Sequence, residues 1–132
     1  PGAGAAGGLG YALLALGARR VGGVAEVLRE CGFGVAAARS DLVVTGAGIV
    51  DWGTTRGSVV AGVAEATMET ARPTVLIAGE CLLGRRETMT MGFAGCYAVA
   101  ETSTELEAMV ADPVSTLALR TARVARTWSP VR

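Results

Sequence analysis

The sequence predicts an α/β fold in which helices flank a parallel sheet in three layers, as in Rossmann-like or flavodoxin-like proteins. Two short apolar runs rich in β-branched residues, 41–45 and 74–78, are each followed by glycine, and a helical pattern lies between them. A strand, a helix and a strand in that order form a parallel pair. The chain is 51% hydrophobic but only 5% aromatic. Its core must therefore be built mainly from Val, Leu and Ala, as is usual for buried helices and parallel strands.

Two helices are predicted before the first strand. Leu9, Leu13 and Leu16 recur at helical spacing and end at Gly17, a residue type that commonly follows the last turn of a helix. Residues 23–31 place apolar side chains at positions i, i+3, i+4 and i+7, with charged side chains on the other side. This second pattern is typical of an amphipathic helix.

The predicted strand–helix–strand unit follows. The strand 41–45 is buried and is expected to end in a turn at residues 46–48. A helix is predicted over 59–71, where a proline stops it, and the strand 74–78 is expected to end at Gly79.

The rest of the chain predicts a polar helix over 85–91, a strand over 96–100 and two further helices. Residues 102–105 form a capping-box pattern, and residues 112–113 supply the N-cap and the N1 proline of the last helix. The side chains expected to face inward from that helix are Leu117, Thr121, Val124 and Trp128, and those expected to face outward are Arg120, Arg123 and Arg126.

Charge and composition exclude several kinds of function. Twelve Arg balance twelve Asp and Glu, so the chain lacks the basic surface by which proteins bind nucleic acid or anionic membranes. Neither Lys nor His is present. A lysine phosphate clamp, a Schiff base, a Ser-His-Asp triad and histidine metal sites are therefore excluded.

The cysteines predict a reduced, cytoplasmic protein. Cys31, Cys81 and Cys96 are odd in number and widely spaced, so they fit neither a C-x-x-C metal pair nor a fully paired disulfide framework. The uncharged segment 1–18 lacks a basic front and is interrupted by glycines, so we expect no membrane span. Because the chain begins at Pro1 without Met, we expect it to be a fragment of a larger protein.

The first stretch that could carry chemistry is the glycine-rich segment 2–10. It contains G-x-G-x-x-G just before a helix, and such glycines let backbone N–H groups approach an anion. A dinucleotide site also needs a preceding strand and a suitably placed acidic residue, which are missing. Close packing of a helix against the loop is the alternative explanation of these glycines.

The second stretch, 45–58, lies after a predicted parallel strand and before a helix, where open α/β sheets place ligands. Asp51 could accept a proton from a substrate hydroxyl or hold Mg²⁺, as phosphoryl transfer requires. A capping role for Asp51 in an ordinary turn is the alternative.

Together these two stretches resemble the C-terminal part of the glycerate kinase type-1 family. The family's GAGAAGGLG segment is present at 2–10, and its TGEG-x-x-D-x-Q-T-x-x-GK segment matches here at Thr45, Gly46, Gly48, Asp51, Thr54 and Gly57. The likeness continues through 76–79 and 92–99, so it covers most of the chain.

The resemblance implies a cytoplasmic enzyme that uses ATP and Mg²⁺ to phosphorylate a hydroxyl of D-glycerate, giving phosphoglycerate. It also implies two α/β domains with the site between them, of which this chain, 1–132, supplies a single C-terminal region whose partner is the missing N-terminal part. Asp51 is then the catalytic residue or a Mg²⁺ ligand. The residues implied to bind substrate or phosphate are Gly2, Gly4, Gly7, Gly8, Thr45, Gly46, Gly48, Thr54, Arg56, Gly57 and Ser58.

Three positions depart from the family pattern. Ala47 replaces a Glu, Gly53 replaces a Gln and Ser58 replaces a Lys. Arg56 is an imperfect substitute for the lost cation, because it stands two residues away from that position. A second interpretation is therefore a non-catalytic kinase-like domain that retains anion or nucleotide binding.

Overall fold

Helices and strands alternate along most of the chain in the computed structural model, which describes residues 1–129. The helices are α1 (Leu9–Ala15), α2 (Gly23–Glu30), α3 (Phe33–Ala38), α4 (Val59–Met68), α5 (Arg85–Thr90), α6 (Ser103–Ala111) and α7 (Pro113–Trp128). The strands are β1 (Val43–Val50), β2 (Thr74–Cys81) and β3 (Gly95–Ala98). Two short 3₁₀ turns, Ala5–Gly8 and Gly53–Thr55, precede α1 and α4.

The three strands form one parallel sheet in the order β1-β2-β3. Leu76 marks the register, since it pairs with Thr45 of β1 and with Cys96 of β3. The central strand is buried over its first five residues. Each connection between neighbouring strands contains a helix, as a parallel pair requires. The predicted α/β class with a parallel sheet is confirmed.

Helices cover both faces of the sheet. On one face, Val60 and Ala64 of α4 join a core cluster with Leu76 and Ala78 of β2. On the other face, Val124 of α7 packs in a cluster with the alternate side chains of β2, Val75 and Ile77. Alternation along a strand sends successive side chains to opposite faces, which explains the two separate clusters. The predicted three layers are confirmed.

The predicted ends of the first two strands are wrong. β1 continues through Gly46 and Gly48 to Val50, and β2 continues through Gly79 to Cys81. The reason is the close approach of the two backbones. A Cβ on Gly46 would lie 3.1 Å from the Ile77 carbonyl oxygen, and one on Gly79 would lie 2.5 Å from the Gly48 carbonyl oxygen. These glycines serve strand packing rather than a turn.

The prediction for α7 is correct in its extent and only partly correct in its orientation. Val124 is buried and Trp128 is half-buried, but Leu117 and Thr121 are exposed. Arg120, expected to face outward, instead lies over the Tyr97 ring at 5.9 Å and pairs with Glu101 at 2.6 Å. The long aliphatic stem of an arginine can cover apolar surface while its guanidinium stays paired. The spacing of hydrophobic residues alone does not reveal this arrangement.

The first 22 residues include a helix with no buried side chain. The predicted helix α1 is present, but none of its residues is buried, and Leu16 just beyond its end is 85% exposed. The hydrogen bonds of residues 1–21 to other described residues stay within that segment.

The short helix α3 is not predicted from the sequence. It is separated from α2 by Gly32, whose positive φ of 68° reverses the chain between them.

Replacing Thr102 by alanine is expected to lower the free energy of unfolding by about 1 kcal/mol, because it removes the N-cap of α6. The predicted capping box is confirmed: Thr102 Oγ1 accepts the Glu105 N–H at 3.3 Å, and Glu105 Oε2 accepts the Thr102 N–H at 3.1 Å. Urea unfolding would measure the loss. Thr104→Ala is the matched control, since Thr104 is exposed and sits inside the same helix. Equal effects of both substitutions would contradict the capping role.

Candidate functional site

A hydrogen-bonded turn fixes Asp51 at the carboxyl end of β1. Asp51 Oδ1 accepts the Thr54 backbone N–H at 2.9 Å and the Thr54 hydroxyl at 3.0 Å. The Asp51 backbone N–H lies 3.1 Å from Thr54 Oγ1 and completes a reciprocal pair. Thr54 is buried, whereas Asp51 is exposed. The turn therefore holds a carboxylate at the edge of the sheet and presents it to solvent.

The hydrogen bonds of this turn keep the carboxylate ionised. The Thr54 backbone N–H, and then the Thr54 hydroxyl, lower the pKa of Asp51 below its ordinary value. Both bonds favour the charged form, since a protonated Oδ1 would accept them less well. Asp51 Oδ2 makes no hydrogen bond to residues 1–129. One carboxylate oxygen thus remains free for a ligand.

The Thr54→Val substitution is expected to raise the pKa of Asp51 partway towards its ordinary value, because the hydroxyl bond is lost while the stronger backbone bond stays. A carbon-detected NMR titration of the Asp51 carboxyl would measure this shift. Thr55→Val is the matched control, because Thr55 donates to the Trp52 carbonyl at 2.7 Å. An unchanged Asp51 titration in Thr54→Val would contradict the assigned cause.

The same pKa shift has a consequence for stability. A carboxylate whose pKa is depressed by folding stabilises the folded chain above its unfolded-state pKa, and that contribution is lost as the pH falls through the folded-state pKa. We therefore expect Asp51 to favour folding at neutral pH and to stop doing so in acid.

The remaining polar groups of the loop have structural partners or stand free. Ser58 is the N-cap of α4: its Oγ accepts the Ala61 N–H at 3.2 Å and donates to the Thr54 carbonyl at 2.6 Å. Arg56 is exposed and makes no ion pair with another described residue. Gly57 has a positive φ of 68°, which lets the chain turn into α4. Arg56 is therefore the cation of this loop that remains free to meet an anion.

Three of the residues implied by the resemblance lie further back, inside the sheet. Thr45, Gly46 and Gly48 belong to β1, where Thr45 pairs with Leu76 and Gly46 with Ile77 of β2. The loop proper therefore begins only at Asp51, and Gly46 before it permits the close approach of β1 and β2.

The glycine-rich segment folds back on itself. The Ala5 N–H donates to the Gly2 carbonyl at 3.1 Å, and the Tyr11 N–H donates to the Ala3 carbonyl at 3.0 Å. A Cβ on Gly10 would collide with the Gly2 carbonyl oxygen, so Gly10 is needed for this close approach.

Part of the glycine-rich segment stays open towards solvent. Gly7 and Gly8 have positive φ, with open space around the Cβ position, while Gly4 is exposed beside them. No hydrogen bond or hydrophobic core cluster of the described residues joins this segment to the Asp51 turn. Within residues 1–129, the structure therefore does not link the two predicted halves of the site directly.

A cleft of about 410 Å³ lies along β3, and its lining includes no residue of either predicted stretch. The sequence analysis predicts neither this cleft nor the grouping of its lining residues, which come from β2, α5, β3 and the segments beside them. The polar and thiol-bearing side chains of its lining are Cys81, Arg85, Thr88, Cys96, Tyr97 and Glu101. Within residues 1–129, no group of three or more His, Cys, Asp or Glu side chains is arranged to hold a metal ion.

A three-layer parallel sheet with a polar turn at the carboxyl end of a strand defines an α/β protein of the kind that binds its ligands at that edge. The family can be stated as well. The chain belongs to the glycerate kinase family, whose model matches residues 1–129.

Individual relatives agree with this family. The chain is 33% identical to a glycerate kinase of Halalkalibacterium halodurans over 98% of its own length and 35% of that protein. It is 34% identical to an uncharacterised protein of Mycobacterium bovis over 89% of its length and 31% of that protein. A crystal structure from Salmonella typhimurium LT2, of a protein provisionally named glycerate kinase 2, superposes with a TM-score of 0.60 at 27% identity, covering 96% of this chain and 32% of that one.

The resemblance seen in the sequence is thus confirmed at the level of family and fold. The chain spans about a third of the length of the relatives that it matches. Among the described helices, none combines the length and the apolar character needed to cross a bilayer.

Proposed function

We propose that this chain forms part of an enzyme that transfers phosphate from ATP to a hydroxyl of D-glycerate, giving phosphoglycerate. The observation that carries the proposal is the relation to a named glycerate kinase over 98% of the chain. The Asp51 turn adds a chemical argument, because it presents an ionised carboxylate at the sheet edge where α/β proteins bind ligands.

In this proposal, Asp51 orients the glycerate hydroxyl or contributes one oxygen to Mg²⁺. Mg²⁺ in kinases is commonly held by one or two carboxylates together with substrate phosphates and water, and the free Oδ2 of Asp51 fits that requirement. Bound there, the metal would neutralise charge on the transferring phosphate. The lowered pKa of Asp51 favours metal binding and hydroxyl positioning over strong proton abstraction, since an efficient general base titrates nearer to the working pH.

Two other groups complete the proposed site. The open backbone around Gly7 and Gly8 is suited to approach by phosphate, since no side chain blocks it. Arg56 would supply positive charge to the same ligand from the second loop, because its guanidinium is exposed and without an ion pair among the described residues. We expect ATP or the substrate to bridge these groups when it binds.

We further propose that the rest of the enzyme is an additional α/β unit, with the site lying between the two. The length of the relatives supports this, and so do the exposed leucines of α1, which would gain a cover. A cytoplasmic location is part of the same proposal, and the three free thiols support it.

The test is an assay of the intact reading frame that contains this chain. With ATP, Mg²⁺ and D-glycerate, phosphoglycerate should form and be visible by ³¹P NMR. Omission of Mg²⁺ should abolish its formation, and glycerol in place of glycerate should give little product. No turnover beside an active glycerate kinase under the same conditions would reject the proposal.

A non-catalytic relative that binds ATP or glycerate is the second candidate. Two observations favour it: the Ser58 hydroxyl is fully engaged in capping α4, and a side chain at Gly53 would bring its Cβ within 3.2 Å of Asp51 Oδ1. The loop thus lacks the Gln and Lys of the family pattern, and its present contacts leave their positions to other roles. Calorimetry separates the candidates, because binding heat without turnover supports this one and turnover rejects it.

A further inference from the structure

Two cysteines distant in sequence meet in the cleft along β3. Cys81 ends β2 and Cys96 lies in β3, and their sulfur atoms are 3.3 Å apart. Both side chains are partly exposed and line the cleft, so a small oxidant can reach them. The third cysteine, Cys31, lies in the link between α2 and α3 and is exposed.

We infer that Cys81 and Cys96 form a reversible intramolecular disulfide when the protein meets a peroxide. The inference concerns a modification site and does not depend on the kinase activity. Bond formation needs the sulfurs to approach by only about 1.3 Å, from 3.3 Å to the ordinary S–S distance. The register pairs Cys96 with Leu76, five positions before Cys81, so the two cysteines meet through their side chains and are not directly opposed strand residues.

The surroundings give the two sulfurs different roles. Burial, and then the hydrogen bond to Cys81, raise the pKa of Cys96 to about 12, so Cys96 keeps its proton. The Cys96 thiol donates to Cys81 Sγ, while the Cys81 thiol donates in turn to the Leu83 carbonyl at 3.4 Å. The thiolate is the form of cysteine that reacts with peroxide, so Cys96, which keeps its proton, acts second and Cys81 is oxidised first.

The chemistry balances with hydrogen peroxide as the oxidant. The Cys81 thiolate attacks one peroxide oxygen and breaks the O–O bond, which leaves a sulfenic acid on Cys81 and releases hydroxide that takes up the proton lost from Cys81. The sulfur of Cys96 then attacks the sulfenic sulfur. The S–S bond forms, the S–O bond breaks, and the Cys96 proton leaves with the departing hydroxide as water. Two thiols are oxidised by two electrons and one peroxide is reduced to two waters.

The disulfide would close a loop that contains α5. The two cysteines are 15 positions apart, and the segment between them includes the core residues Leu83 and Phe93 as well as Arg85 at the start of α5. Oxidation would therefore clamp α5 against the sheet, and a thiol reductant would release it.

Peptide mapping of the wild-type chain tests the inference. Trypsin cuts after Arg56, Arg85, Arg86 and Arg120 but not between Arg72 and Pro73, so Cys81 falls in peptide 57–85 and Cys96 in peptide 87–120. After peroxide treatment and alkylation of the remaining thiols, the two peptides should appear joined, lighter than their sum by two hydrogens, and should separate on reduction. Cys31, in peptide 30–39, should remain alkylated as the internal control.

Two outcomes would overturn the inference. One is a linkage of Cys31 to either partner in the folded chain, and the other is oxidation that leaves peptides 57–85 and 87–120 separate.

A trapping experiment adds a readout that needs no crosslink. In Cys96→Ser, dimedone should capture a sulfenic acid on Cys81, and in Cys31→Ser it should capture little, because Cys96 closes the bond first. Equal capture in both variants would contradict the pairing.

Discussion

Replacing Leu76 by alanine is expected to lower the free energy of unfolding by about 3 kcal/mol. Leu76 lies in the central strand, has no exposed surface, and packs in the core cluster between the sheet and α4. The substitution removes buried apolar area and leaves a cavity that the strand ladder on both sides prevents from collapsing. A domain of this size has a total stability of roughly 5–15 kcal/mol, so a large fraction would be lost.

Urea unfolding followed by far-UV circular dichroism would measure the effect. Leu82→Ala is the matched control, since Leu82 follows the same strand but is 69% exposed, and we expect it to change stability by less than about 0.5 kcal/mol. Similar slopes against urea in all three proteins would show that the change lies in stability and not in compactness. A Leu76→Ala protein as stable as Leu82→Ala would contradict the assignment of β2 to the centre of the core.

Local signals in the sequence were sufficient for much of the fold. The run 74–78 marks the buried strand, the pattern over 59–71 marks α4, and residues 102–105 mark the capping box. Each of these elements depends on interactions between residues only a few positions apart. Such interactions can be predicted directly from the sequence.

The sequence predictions that are wrong concern contacts between residues that are distant in the sequence. The glycines at 46 and 48 look like a turn until the neighbouring strand is known, and for Gly46 it is the Ile77 carbonyl oxygen of β2 that leaves little room for a side chain. Likewise, Arg120 lies inward because its guanidinium contacts the Tyr97 ring and pairs with Glu101, and both residues are distant from Arg120 in the sequence. No spacing rule along one helix contains that information.

The position of Asp51 at an edge of the sheet could be predicted from the sequence, but the contacts of the candidate site could be predicted only in part. The rule that ligands bind beyond the carboxyl ends of parallel strands located Asp51 correctly at an edge of the sheet. Its spacing from Thr54 is also the spacing of a capping interaction, and the structure contains that interaction. Capping and ligand binding are compatible here, because the cap uses Oδ1 and leaves Oδ2 free. The meeting of Cys81 and Cys96 could not be foreseen, because the strand register pairs Cys96 with Leu76 and the sulfur contact arises from the packing of side chains that are distant in the sequence.

Replacing Asp51 by asparagine is expected to reduce turnover of the proposed kinase by roughly 10²–10⁴-fold while leaving the fold intact. The amide oxygen of Asn can still accept both Thr54 bonds, so the turn should persist. What disappears is the negative charge that the lowered pKa of Asp51 maintains at neutral pH. Initial rates of phosphoglycerate formation in the intact protein would measure the loss, together with the Mg²⁺ concentration at half-maximal rate.

The control for this substitution is Asp41→Asn, which removes an exposed carboxylate just before the other end of β1. It changes the net charge equally but lies away from the carboxyl edge, so its turnover should match that of the wild type. Both variants should keep the wild-type far-UV circular dichroism spectrum, and at neutral pH Asp51→Asn should unfold at a slightly lower temperature than Asp41→Asn, because its bonds to Thr54 lose the carboxylate charge. If Asp51→Asn keeps wild-type turnover in a protein that phosphorylates glycerate, Asp51 serves only the turn, and the reacting carboxylate must be sought elsewhere in the enzyme.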